Sequence, residues 1–232
     1  MRQVVLDTET TGLSWEKGNR VVEIGCVEII QRRKTGRTFQ RYLNPERDME
    51  FGAQEVTGLS REFLSDKSKF IEVVDEFLDF IRGAELIIHN ANFDIGFLNN
   101  ELTLVGPHVG RMSDHASVLD TLAMARERFP GQRNSLDALC KRLDVNNNHR
   151  TLHGALLDAE LLSEVYLTMT AGQGDLGLSN NEAPAKRSNI SVSMLGQVAN
   201  KVLLATIEEQ ALHAARLEKI SKKSGGHLQW TP

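Results

Sequence analysis

Val4-Val5-Leu6-Asp7-Thr8-Glu9-Thr10-Thr11-Gly12 runs an apolar segment into two acids set one residue apart. Side chains alternate along a β-strand, so residues i and i+2 share a face and Asp7 stands beside Glu9. Paired carboxylates repel each other and one pKa rises strongly; a divalent cation held by oxygen ligands removes that cost. Read alone, the pattern also fits a solvated strand end. Other parts of the chain shift the balance towards metal binding.

Ala84 to Asn90 (AELIIHN) is a second short apolar run ending in polar residues, and Phe93-Asp94 opens an amphipathic stretch behind it. His153-Gly154-Ala155-Leu156-Leu157-Asp158-Ala159 sets a histidine and an aspartate at the head of a long helical pattern. Residues five apart on a helix are rotated by about 140° and cannot share a face. His153 therefore lies in the entry segment and Asp158 inside the helix. Asp158 can then hold a metal while His153 swings over it. A free imidazole titrates near pH ~6.5, which suits proton transfer better than ligation.

Strand-like segments recur at Val4 to Asp7, Val21 to Ile30, Phe39 to Leu43, Leu86 to His89 and Ser117 to Leu119. The polar run Arg32 to Arg37 joins the second to the third, with Thr35-Gly36 as its hairpin turn. Phe70, Val73, Val74, Phe77 and Ile81 line one face of a helix over Phe70 to Ile81. Further helices fit Phe93 to Leu104, Thr121 to Arg128, Ser135 to Leu143 and Gly154 to Thr170. A meander followed by alternating elements predicts an α/β protein, a mixed sheet with helices on both sides. Asp120 and Asp137 precede or open helices, where Asp caps free amides. His89 is expected to be packed, Asn90 to orient the turn that presents Asp94, and Cys26 and Cys140 to be reduced core residues.

DTETTGL (Asp7 to Leu13), HNANFD (His89 to Asp94) and HGALLDA (His153 to Ala159), in that order, resemble the three motifs of the DEDDh 3′-to-5′ exonucleases. RNSLDALCKRL (Arg133 to Leu143) and RTLHGALLDAELLSEVYLTMT (Arg150 to Thr170) are similar to the proofreading epsilon subunits of bacterial DNA polymerase III. The resemblance covers nearly the whole chain and implies a ribonuclease H-like three-layer fold with a C-terminal linker and partner-binding tail. It implies metal-binding carboxylates at Asp7, Glu9, Asp94 and Asp158, and a general base at His153. In a two-metal phosphodiesterase, ions roughly 3.5–4 Å apart activate the attacking water and stabilise the leaving 3′ oxygen. Two divalent ions are implied, Mg²⁺ or alternatively Mn²⁺, both of which favour oxygen ligands.

The substrate is implied to be a single-stranded DNA 3′ end, contacted by Asp7, Thr8, Glu9 and Asp158, with Thr10 and Thr11 close by. Gly52 to Leu59 corresponds to the stretch that packs on the terminal base and sugar, making Gly52 and Thr57 further candidates. Thr57 stands where many relatives have a histidine before Gly58; it can donate a hydrogen bond but cannot stack on a base. A turn or helix cap is the plain alternative for both residues.

The chain has 232 residues, 27 Lys+Arg against 31 Asp+Glu and a formal charge of −4, whereas a free-standing nucleic-acid binder is usually basic. Weak intrinsic affinity for DNA follows, so something else should deliver the substrate. Residues 1–170 read as the nuclease domain, 171–189 as a flexible linker rich in Gly, Ser, Asn, Ala and Pro, and 190–232 as a partner-binding segment. Within the linker, Gln173, Leu176 and Leu178 resemble the short peptide with which bacterial proteins dock on the sliding clamp. Beyond it, Thr206-Ile207-Glu208-Glu209 has a capping-box pattern, Leu217 falls on an apolar helical stripe, and Leu228 and Trp230 follow as apolar anchors. So short a segment cannot form its own core. The resemblance implies the polymerase alpha subunit as its partner; a small theta-like accessory subunit is a further partner to test. A Gly-rich linker of about 19 residues spans roughly 25 Å and gives millimolar effective concentration, so tethering can replace a basic surface.

No apolar run approaches membrane-spanning length and no charged-then-apolar leader opens the chain, so a cytoplasmic, non-membrane location is expected. Three functions fit the sequence: a DNA proofreading exonuclease releasing mismatched 3′ ends as monophosphates, an RNA-processing exonuclease of the same chemistry, and a non-catalytic scaffold that stabilises a polymerase.

Overall fold

The computed structural model describes residues 1–148, 150, 152–171 and 205–223. Five strands form one sheet in the order β3-β2-β1-β4-β5: β1 (Arg2–Thr10), β2 (Val21–Ile30), β3 (Arg33–Tyr42), β4 (Glu85–Ile88) and β5 (Ser117–Asp120). β1 to β3 form an antiparallel meander, while β4 runs parallel to both β1 and β5. The helices of this unit are α1 (Phe51–Thr57), α2 (Arg61–Leu64), α3 (Phe70–Ile81), α4 (Ala91–Val105), α5 (Met112–His115), α6 (Thr121–Arg128), α7 (Leu136–Arg142) and α8 (Ala155–Thr170).

The expected mixed sheet is present, and alternation along β1 explains its two packed faces. Val4 and Leu6 join Phe77 and Ile81 of α3 and Phe97 and Leu98 of α4 in one core. Val5 joins Ala125 of α6, Leu139 of α7 and Leu162 and Val165 of α8 in the other. The apolar stripe predicted for Phe70 to Ile81 is buried along its length. Cys26 and Cys140 are buried, free thiols. His89 is largely buried, its Nδ1 3.0 Å from the Thr121 hydroxyl, and Asp120 caps α6 by accepting from the amides of Leu122 and Ala123. Ser135, not Asp137, caps α7.

The hairpin turn lies elsewhere than expected. Gln31 and Arg32, with φ of 49° and 62°, form the reversal, as two-residue hairpins require. The polar run that read as a loop belongs to β3, whose outer edge is solvated. Gly36 (φ 85°) instead marks a break in register between Val27↔Thr38 and Ile29↔Lys34, a bulge. Helices α1 and α2 carried no periodic signal because seven and four residues span too few turns to show one.

Gly25 decides where α8 sits. A Cβ there would lie 2.2 Å from the backbone of Ala155 and Leu156, so the helix start rests directly on β2. Glu23, two residues earlier on the same strand, accepts a hydrogen bond from the Ala155 amide at 3.0 Å and another from Gln40 at 2.8 Å.

Residues 205–223 contain α9 (Ile207–Lys223). The predicted capping box is formed: the Glu209 amide donates to the Thr206 hydroxyl at 3.2 Å, and the Thr206 amide donates to the Glu209 carboxylate at 2.8 Å. Ile207 and Leu212 are exposed and Leu217 is half-buried. Gln173, Leu176, Leu178, Leu228 and Trp230 lie outside the described residues, as does nearly all of the linker 171–189.

Gly25→Ala is expected to push α8 off the sheet, costing about 1–3 kcal/mol as overpacking does. Thermal unfolding monitored by circular dichroism checks this; a melting temperature equal to that of the parent would show that the contact is not limiting.

Candidate active site

Four carboxylates predicted from sequence meet at the end of β1. Asp7 and Glu9 continue the strand face that begins with Val5, towards α8, whereas Thr8 shares the Val4–Leu6 face, towards α4. Asp94 lies in the first turn of α4 and Asp158 in the first turn of α8. Because β1 and β4 are parallel, the turn leaving β4 starts α4 at the same sheet edge where Asp7 and Glu9 sit. Asn90 makes that turn in the left-handed conformation (φ 65°) and serves as the N-cap residue of α4, in keeping with the orienting role expected of it.

Asp94 is fixed from across the strand: its Oδ1 accepts from the Thr8 amide at 3.1 Å and the Thr8 hydroxyl at 2.6 Å. His153 precedes the N-cap residue Gly154, as the helix geometry demanded, and its Nδ1 is 3.3 Å from Asp158 Oδ2. One ligand atom each from Glu9, His153 and Asp158 falls within a 4.8 Å span.

The electrostatics set these acids apart from surface carboxylates. Burial, reinforced by Asp94, Glu9 and Asp158, holds the Asp7 carboxyl well above its usual range. Burial with the charges of Asp158 and Glu23 pushes Glu9 up to about 8. Burial pushes Asp94 up to about 7 against the opposing hydrogen bonds from Thr8. Asp158 goes the other way: burial raises it, but the hydrogen bonds and charge of Arg150, with His153 alongside, outweigh that and hold it low. Among the described residues no hydrogen-bond donor reaches the Asp7 or Glu9 carboxylate. Crowded oxygen donors, with the Arg150 charge too weak at Asp7 and Glu9 to offset burial and repulsion, are the chemistry that a hard divalent ion fits.

Two contributors escaped the sequence reading. Arg150 is almost wholly buried and forks onto Asp158, with Nε 2.5 Å from Oδ1 and Nη2 2.6 Å from Oδ2. Its Nη2 also lies 2.9 Å from His153 Nδ1, and its Nη1 donates to Asp137 at 2.7 Å. Asp137 thus acts structurally through Arg150. The other is Glu23, facing Glu9 in the β1–β2 register while holding the start of α8. A charged residue within the apolar run VVEIGCVEII was the only available signal for it.

A cleft of about 340 Å³ opens beside the acids, lined by Thr8, Glu9, Thr10, Gly12, Leu13, Glu50, Gly52, Ala53, Val56, Thr57 and Phe93. Gly52 and Thr57 both line it. The Thr57 hydroxyl, however, donates to the Ala53 carbonyl at 2.9 Å and accepts from the Leu59 amide at 3.2 Å, so the capping alternative describes its side chain. Thr10 and Thr11 likewise direct their hydroxyls to Gly12 and Asn19.

Residues 4–166 match the family model described as Exonuclease. DNA polymerase III subunit epsilon of Escherichia coli (strain K12) is 48% identical over 234 aligned residues, covering 98% of this chain and 96% of that protein. The protein of the same name from Rickettsia felis is 46% identical, over 96% of this chain and 98% of its own. A solved structure of exonuclease X with 5′-overhanging duplex DNA superposes with a TM-score of 0.58 at 23% identity, covering 74% of this chain and 93% of that one, and so shares the fold. With its motifs in order along the matched region and its acids gathered at one strand end, the chain belongs to the exonuclease family of DEDDh type, among the DNA polymerase III epsilon subunits.

Proposed function

We propose that the protein is the proofreading 3′-to-5′ exonuclease of a replicative DNA polymerase III, removing mispaired 3′-terminal nucleotides from DNA as 5′-monophosphates. The observation that carries this is the convergence of Asp7, Glu9, Asp94, Asp158 and His153 beside one cleft. Asp7, Glu9, Asp94 and Asp158 would hold two divalent ions, Mg²⁺ in the cell with Mn²⁺ as a substitute. When bound, such ions polarise the attacking water and stabilise the leaving 3′ oxygen.

The protein's own groups do the rest. His153 stands in a loop above Asp158, placed to take a proton from water entering beside Glu9. Asp158, kept ionised by its hydrogen bonds, would stabilise the imidazolium that results. Leu13, Val56 and Phe93 give the cleft apolar surface against which a terminal base and sugar can pack. A frayed end enters with less unpairing cost than a matched one, which favours mispaired termini.

Segment 190–232 would dock on the polymerase alpha subunit, and Gln173, Leu176 and Leu178 on the sliding clamp, with Leu217 and Trp230 as anchors in the tail. A theta-like subunit would complete the assembly. Working with these partners, the protein would act in the cytoplasm. No described helix is long and apolar enough to cross a membrane.

Monophosphate release from mispaired DNA and from RNA, measured with added Mn²⁺, tests the assignment. Asp7→Ala should abolish release, and His153→Ala should lower kcat by about 10²–10⁴-fold while Mn²⁺ still binds. Undiminished activity in Asp7→Ala would refute the site, and preference for RNA would refute the substrate.

Glu9 carries a folded-state pKa of about 8 against an ordinary 4.5, so the folded state holds the extra proton. That contribution is fully present below the ordinary value and is lost as pH rises through about 8. In EDTA the melting temperature should therefore fall across this window, and saturating Mn²⁺ should flatten the fall. Equal slopes with and without the ion would contradict the shared charge.

Deleting 190–232 should leave hydrolysis of short single strands intact but abolish co-purification with the polymerase. Retained co-purification would show that the nuclease domain carries the interface.

A further inference from the structure

We propose that Arg150 is a built-in counter-ion that competes with the divalent metal for Asp158, so that it holds the metal-free site together and weakens metal binding. This rests on the metal-site reading above. Three observations carry it. Both Asp158 oxygens are engaged by one guanidinium, at 2.5 and 2.6 Å, a bidentate geometry that uses lone pairs a metal would need. The arginine side chain is 7% exposed, with Asp137 holding its remaining arm at 2.7 Å, so the guanidinium is not free to swing away. Arg150 is also the only described cation within hydrogen-bonding distance of these carboxylates.

The third contact links this competition to proton transfer. A guanidinium only donates, so Arg150 Nη2 at 2.9 Å from His153 Nδ1 requires that nitrogen to accept, placing the neutral ring's proton on Nε2. In the alternative tautomer Nδ1–H faces Asp158 Oδ2 at 3.3 Å and Nε2 is free to take a proton. Weakening the hold of Arg150 on Asp158 and His153 favours that second arrangement. Arg150 is thus a positioning residue, acting through Asp158 and His153 without touching the substrate.

Linkage gives the sign. Removing Arg150 leaves Asp158 uncompensated in the metal-free protein, whereas in the loaded protein the nearby dications compensate it. The metal-free state loses more, so metal affinity must rise.

In the full-length chain, Arg150→Met is expected to lower the melting temperature in EDTA, enlarge the rise on adding Mn²⁺, and tighten Mn²⁺ binding about tenfold by electron paramagnetic resonance titration. Arg150→Lys, which keeps the charge but cannot fork onto both Asp158 oxygens, should tighten binding by a clearly smaller factor than Arg150→Met. Asp137→Asn, which loosens the guanidinium from an exposed position, should shift affinity in the same direction by a smaller factor, and serves where Arg150→Met fails to fold. Unchanged or weaker Mn²⁺ binding in Arg150→Met or Asp137→Asn, or an equal tenfold tightening in Arg150→Lys, would overturn the counter-ion role. Parent-like Mn²⁺ binding in Asp7→Asn would instead overturn the metal site itself.

Discussion

Repulsion among carboxylates at the end of β1 is the constraint around which the rest of the molecule is arranged. The scaffold offers the acids no way to spread apart. Asp7 and Glu9 are locked side by side by the strand's alternation, Asp94 is bound to the Thr8 backbone and hydroxyl, and Asp158 is carried by a helix resting on Gly25. A fold that fixes like charges this firmly stores an affinity for cations. Burial first, and then the neighbouring carboxylates, raises the pKa of Asp7 and Glu9, while burial raises that of Asp94.

Backbone electrostatics ease the burden. Asp94 and Asp158 both lie in first turns of helices, where unpaired amides and the helix dipole favour negative charge. Glu23 uses the same effect from outside the helix, anchoring the Ala155 amide. Parallel pairing of β1 with β4 brings the start of α4 to the sheet edge that α8 also reaches, so geometry and field act at one place. The exonuclease chemistry of the family follows from this economy of arrangement: one strand end, two helix starts and a histidine in the entry loop.

The acidic net charge of −4 is consistent with the proposal that a partner delivers the DNA. A nuclease with strong intrinsic affinity for DNA ends would compete with the polymerase for correctly paired termini. Under the proposed function, a tether through segment 190–232 would supply local concentration instead, leaving the cleft to discriminate by the ease of fraying.

Much of this was legible in residues 4–12, 84–94 and 153–158, because strand alternation and helix rotation are local rules. They place Asp7 beside Glu9 and put His153 outside the helix that holds Asp158. The hairpin turn was misplaced because a solvated edge strand and a loop share polar composition, and α1 and α2 were too short to show a period. Sequence alone determined the identities and the order of the acids. Only the tertiary structure decided that Arg150 forks onto Asp158, that Glu23 holds the start of α8, and that the Thr57 hydroxyl turns to its own backbone. Those facts depend on which groups burial forces to find partners, and that is settled by packing across the sheet rather than by spacing along the chain.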